Sequence, residues 1–133
     1  MAPMARLLFV DDDAELRAIF RRTAERHGFT VLTGGDGAEG LDLARREKPD
    51  LVVLDVNMPE MDGRDVCKAL KADDQTRAIP VLFLSARGDP FSRQLGLELG
   101  AEDFIEKPFD LDGLMRKVKY MLRKQETESP ETP

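Results

Sequence analysis

Three consecutive carboxylates, Asp11-Asp12-Asp13, follow the apolar run Leu7-Leu8-Phe9-Val10, and Asp55 follows a second such run, Leu51-Val52-Val53-Leu54. Ser85 closes the run Pro80 to Leu84, and Glu106-Lys107-Pro108 closes the weaker run Asp103-Phe104-Ile105. Alone, each has an ordinary use: Asp and Ser cap helices, and a loop lysine is solvated. Asp13 is assigned that capping role for the helix that follows. Brought together, Asp11, Asp12, Asp55, Ser85 and Lys107 would do chemistry. Two carboxylates about 4 Å apart repel by roughly 4 kcal/mol at an effective dielectric of 20. Three of them either raise one pKa or require a cation. Oxygen ligands with room for water suit Mg²⁺ or Mn²⁺ rather than Zn²⁺, and no His or Cys stands near these positions to build a zinc site. A hard cation beside a lysine, a hydroxyl and a carboxylate is the equipment of phosphoryl transfer. Asp55 is the nucleophile, because it follows a central apolar run and precedes a turn-rich segment, Pro59 to Gly63, that keeps it accessible.

The elements that must position these groups are legible as an alternation. Leu7–Val10, Leu51–Leu54 and Pro80–Leu84 are apolar on consecutive residues, as strands buried on both faces require. Phe29–Leu32 is less apolar and belongs near a sheet edge; Asp103–Ile105 is the weakest strand. Between them run amphipathic segments. Leu16, Ile19, Phe20 and Ala24 share one helical face, and that helix stops at His27-Gly28. Ala38, Leu41 and Ala44 mark a second helix, ended before Pro49. Val66, Ala69 and Leu70 mark a third. Phe91, Leu95 and Leu99 mark a fourth, closed by Gly100. Leu111, Leu114, Met115, Val118, Met121 and Leu122 mark a fifth, with Asp110 as its N-cap. Five βα units with helical crossovers make a parallel, doubly wound, flavodoxin-like α/β sheet of order 2-1-3-4-5. In such a sheet ligands bind beyond the carboxyl ends of the strands, where all the candidate residues fall.

The chain has 133 residues, which suits one domain, with 35% charged and 41% apolar residues. Its formal net charge of −6 argues against non-specific binding to nucleic acid or to an anionic membrane. No run approaches the roughly 20 apolar residues of a membrane span, and the N-terminus lacks a signal-peptide pattern. The single cysteine, Cys67, excludes an intrachain disulfide and fits a reducing cytosol. Gln125–Pro133 is polar and reads as a tail or the start of a linker.

Residues 6 to 124 resemble the receiver domain of two-component response regulators, of the chemotaxis-regulator type. The resemblance is carried by Val10-Asp11-Asp12-Asp13, Leu54-Asp55 through Asp62-Gly63, Leu84-Ser85-Ala86, Gly100-Ala101-Glu102-Asp103-Phe104 and Lys107-Pro108-Phe109. Single motifs of this set are weak; their order and spacing together are specific. The resemblance implies that residues 1–124 form a receiver domain in a cytoplasmic phosphorelay. Asp55 would take a phosphoryl group from a sensor histidine kinase or a histidine phosphotransfer protein. Asp12 would bind Mg²⁺ directly and Asp11 mainly through water, with Asp55 and the backbone carbonyl of Asn57 as further ligands. Ser85 and Lys107 would bind the phosphoryl oxygens, and the Lys107-Pro108 bond would be cis. Ser85 and Phe104 would form the switch, Phe104 without the hydroxyl that most relatives carry there. Asn57 and Arg87 would tune the phosphoryl lifetime.

The family's output face is the fourth helix, fifth strand and fifth helix, where winged-helix relatives dimerise through charge pairs. Arg93, Asp103 and Lys117 resemble part of that set, but Gly113 stands where an acidic partner for Arg93 belongs. A monomer or a phosphorylation-dependent homodimer is expected, without direct nucleic-acid or membrane contact. Three rival readings fit the residues less well. An Asp-nucleophile phosphohydrolase needs a second Asp two residues on, where Asn57 stands and cannot transfer a proton. A flavin module needs a phosphate-cradling loop where the three leading acids stand. A degenerate receiver acting by protein contacts alone would not need all five site positions filled. The expectation is therefore a non-enzymatic switch, limited to self-phosphorylation and slow self-dephosphorylation.

Overall fold

The consecutive apolar runs form three adjacent strands that alternate their side chains between two cores. These are β1 (Arg6–Val10), β3 (Leu51–Asp55) and β4 (Val81–Ser85). Flanking them are β2 (Thr30–Gly34) and β5 (Asp103–Glu106), and the sheet is parallel with the order β2-β1-β3-β4-β5. The connections are α1 (Ala14–Arg26), α2 (Gly37–Glu47), α3 (Gly63–Ala72) and α4 (Arg93–Glu98), with α5 (Leu111–Thr127) after β5. The doubly wound α/β class and strand order are those expected from the alternation. This computed structural model describes residues 5–86 and 93–127. Arg87 and Phe91 lie outside the described residues.

Alternation along each strand separates the cores, because successive side chains point to opposite faces. Leu7, Phe9, Leu51, Val53, Leu82 and Leu84 face α1 and α5, meeting Phe20, Ala24, Leu114, Met115 and Val118. The rings of Phe9 and Phe20 stack there with centroids 4.2 Å apart. Leu8, Val10, Val52, Leu54, Val81 and Phe83 face the other way, meeting Leu41, Ala44, Val66, Cys67 and Leu70 of α2 and α3. Leu95, Leu99 and Phe104 pack against this second core, which places α4 on the same side. β5 is the least covered strand: Asp103, Phe104 and Ile105 are half-buried and Glu106 is exposed.

Caps set the helix ends. The Asp13 side chain accepts from the amides of Glu15 and Leu16, so it caps α1 as assigned. Asp110 accepts from the Gly113 amide at the start of α5. α1 ends at His27, and Gly28 at φ 93° turns the chain. The Phe29 amide then returns to the Ala24 carbonyl at 3.1 Å. That turn uses up Phe29, so the second strand is Thr30–Gly34 rather than Phe29–Leu32.

Ala38, expected on the buried face of α2, is exposed, and Gly37, Gly40, Leu41 and Ala44 make that face instead. Glycines are needed because α2 lies against backbone and a β-branched chain: a Cβ on Gly37 would sit 2.2 Å from the Met61 carbonyl oxygen. On α3 the buried face is Val66, Cys67 and Leu70, with Ala69 half-buried. α5 continues to Thr127, past the Lys124 at which composition places the domain end.

Candidate functional site

The strand ends deliver their polar residues to one rim. Asp55 and Ser85 are the last residues of β3 and β4, and Asp11 follows β1 directly. Asp11 and Asp55 are buried and Asp12 is exposed. Ligand oxygens from these three carboxylates lie within 4.8 Å of one another, the grouping expected from sequence. Lys107 reaches in from β5: its Nζ is 2.9 Å from Asp11 Oδ2 and 3.6 Å from Asp55 Oδ2. Its amide donates to the Ser85 carbonyl at 2.7 Å, and the Lys107–Pro108 bond is cis.

Asp11 is held at every polar atom. Its amide donates to Gly34 O at 3.1 Å, and its Oδ1 accepts from the Asp13 amide at 2.9 Å. Asp55 Oδ1 accepts from the Asn57 amide at 3.2 Å. Ser85 is buried, and its hydroxyl makes a long 3.4 Å bond to the Ala86 carbonyl. Phe104 is half-buried on β5, paired in register with Phe83 of β4.

The loop after Asp55 depends on one glycine. A Cβ at Gly63 would fall 2.3 Å from the Asp55 carbonyl oxygen and 2.9 Å from Val56 Cα, so α3 can begin this close only with hydrogen there. Asp62 caps α3 in a capping box with Asp65. Burial alone would raise its pKa, but the bonds from Arg64 and from the Asp65 amide outweigh that and hold it below the usual carboxylate value. Asp62 therefore belongs to the helix end rather than to the acidic cluster.

The electrostatics of the rim are unbalanced. Burial pushes the Asp55 carboxyl up to about 6, and the Asp11 charge pushes the same way; Lys107 and the Asn57 amide oppose them. Burial would depress Lys107, but its hydrogen bond to Asp11 and the charges of Asp11 and Asp55 together keep it above the ordinary lysine value. Among the described residues, three carboxylates stand against one ammonium, which leaves two negative charges uncompensated. Among the described residues the grouped ligands are all carboxylate oxygens, and one of the three carboxylates is open to solvent. That set fits a hard divalent cation with some of its waters retained.

An apolar groove of about 550 Å³ opens beside Lys107, lined by Leu16 and Ile19 of α1 and by Ala86, Pro108, Phe109 and Leu111. Sequence reasoning did not single out this groove or Arg17, whose Nη1 donates to the Asp11 carbonyl at 2.7 Å. An arginine one turn after a capping Asp was the available signal. Asp103 and Lys117 form an ion pair of 2.9 Å within the chain, between β5 and α5.

The family model for the response regulator receiver domain matches residues 7–119. The chain is 42% identical over 125 residues to the alkaline phosphatase synthesis transcriptional regulatory protein PhoP of Bacillus subtilis, covering 94% of this chain and 51% of that protein. It is 46% identical over 120 residues to the transcriptional regulatory protein PrrA of Mycobacterium bovis, covering 90% and 51%. The chain thus spans about half the length of the curated relatives it matches. Among solved structures, the chemotaxis protein CheY4 of Vibrio cholerae superposes with a TM-score of 0.82 at 33% identity, over 89% of this chain and 98% of that one. The receiver domain of Francisella response regulator 1452 does so at 0.82 and 30%, over 90% and 98%. With the strand order, the acidic rim and a match across nearly all the chain in agreement, this chain belongs to the response regulator receiver domain family.

Proposed function

We propose that Asp55 accepts a phosphoryl group from the phosphohistidine of a sensor histidine kinase or histidine phosphotransfer protein. An Asp55 carboxylate oxygen attacks phosphorus, the P–N bond breaks, and the imidazole keeps the electron pair and takes up a proton. The carrying observation is the placement of a buried carboxylate at a strand end, within reach of one ammonium and two further carboxylates. A pKa of about 6 leaves Asp55 about nine-tenths ionised at pH 7, in the form that attacks.

Mg²⁺ or Mn²⁺ would be held by Asp11, Asp12 and Asp55 with the Asn57 backbone carbonyl, and when bound it supplies charge neutralisation to carboxylates and phosphoryl oxygens. Lys107 would exchange part of its contact with Asp11 and Asp55 for a phosphoryl oxygen. The Ser85 hydroxyl, held only by a 3.4 Å bond, would turn to another. Phe104, on the strand beside Ser85, would carry the change to the α4–β5–α5 face. Asn57 and Arg87 would set the lifetime from positions two beyond the acceptor and two beyond the hydroxyl. The apolar groove beside Lys107 offers the donor a surface on which to rest.

No second carboxylate stands where a phosphohydrolase needs its general acid, so the reading is a switch with slow self-dephosphorylation, working in the cytoplasm. We assign residues 1–124 to the receiver unit and 125–133 to a polar tail or linker start. The test is labelling by acetyl phosphate or a phosphorylated kinase. Wild type should label only with Mg²⁺, and Asp55→Asn should not. Equal labelling of Asp55→Asn would remove Asp55 as the acceptor.

A further inference from the structure

The peptide that joins Asp11 to Asp12 is gripped by a residue outside the chemistry above. Arg17 Nη1 donates to the Asp11 carbonyl, one end of that peptide, at 2.7 Å. The Arg17 amide makes only the first i→i−4 bond of α1, to the Asp13 carbonyl at 3.0 Å, so the grip on the Asp11–Asp12 peptide comes from the side chain alone. Its guanidinium also lies against the start of the β2–α2 loop: a Cβ on Gly35 would meet Nη1 at 3.2 Å and Cζ at 3.4 Å. Asp11 is tied independently, by Gly34, the Asp13 amide and Lys107. Asp12 is exposed, and the peptide that carries it sets the direction of its Cα–Cβ bond, from which the carboxylate must reach the cluster.

We propose that Arg17 is a positioning residue for the divalent cation: by fixing the Asp11–Asp12 peptide it aims the Asp12 carboxylate into the acidic cluster. This rests on the cation assignment made under the proposed function. Groups that orient a ligand without touching the ion change metal affinity by about 10–100-fold when removed. The sign separates positioning from charge. A guanidinium near a cation site repels the cation, so a purely electrostatic Arg17 would weaken binding, and its loss would tighten it. A positioning Arg17 does the reverse.

The experiment is titration of the full chain with Mn²⁺, reading free Mn²⁺ by electron paramagnetic resonance, with circular dichroism as the check on folding. Arg17→Ala should raise the Mn²⁺ Kd about tenfold. Arg17→Lys, which keeps a donor and a charge, should recover most of that. Arg21→Ala is the control, because Arg21 makes the same kind of bond, to the Val31 carbonyl at 3.0 Å, away from the rim. It should leave the Kd unchanged. An unchanged or lower Kd in Arg17→Ala overturns the proposal, as does an equal rise in Arg21→Ala. Should Arg17→Ala not fold, Arg17→Gln decides: it is too short to keep the bond, so a raised Kd supports the proposal and a wild-type Kd overturns it. Wild-type protein that binds Mn²⁺ no better than Asp12→Ala would overturn the cation assignment itself, a separate failure.

Discussion

Neutralising Asp55 should make the cation-free protein more stable. Asp55 is 3% exposed, and its carboxyl pKa rises from 3.8 to about 6 on folding. The sign follows from proton linkage. The folded state binds this proton more tightly than the unfolded chain, so stability is fullest below 3.8, falls as pH rises, and the loss is complete above about 6. A shift of about two units at 1.36 kcal/mol each puts the loss near 3 kcal/mol at pH 8, and about half that at pH 5. Asn keeps the shape and an oxygen for the Asn57 amide, while Lys107 retains Asp11 at 2.9 Å. Urea unfolding in the presence of a chelator should therefore find Asp55→Asn about 2–3 kcal/mol more stable at pH 8, with the gap narrowing at pH 5. Saturating Mg²⁺ should narrow it also, since it binds the folded wild type. A variant no more stable than wild type at pH 8, or a gain indifferent to pH, would refute the electrostatic account of the rim.

Two further outcomes follow from close packing. Gly63→Ala places a methyl carbon 2.3 Å from the Asp55 carbonyl oxygen, and backbone cannot yield cheaply, so unfolding free energy should fall by about 3 kcal/mol; a loss under about 0.5 kcal/mol would show that the loop has slack. Burial pushes the Cys67 thiol up to about 11, with Glu102 adding to it and Lys71 opposing. At pH 8 only about one thiol in a thousand is then ionised, so a disulfide reagent should modify Cys67 slowly in native protein and rapidly in urea; fast native labelling would contradict the burial.

The fold was legible because buried parallel strands announce themselves as unbroken apolar runs, and the rim was legible because strand ends follow from the runs. Asp11, Asp55 and Ser85 sit where Val10, Leu54 and Leu84 put them. What the sequence hid are contacts between segments distant along the chain. Ala38 has the right spacing for the buried face of α2, yet Gly37 and Gly40 take it, since only the approach of Met61 and Val10 demands hydrogen there. Phe29 has strand propensity, but the turn at Gly28 claims its amide first. Arg17 looked like any helix arginine, because its partner is a backbone carbonyl and carbonyls leave no mark in the sequence. The cis bond at Lys107–Pro108 agrees with the expectation from family resemblance.

β5 has a consequence of a mechanical kind. The opposite edge strand, β2, is buttressed by Arg21, which bonds to Val31 and Thr33 from α1. β5 has only half-buried and exposed residues, and it is tied from α5 by the Lys117–Asp103 ion pair of 2.9 Å. Both margins of the sheet are thus tied by a helix cation, but β2 buries Val31 and Gly34 while β5 buries none of its four residues. Of the two margins, the β5 one therefore has the less buried surface to lose when it shifts.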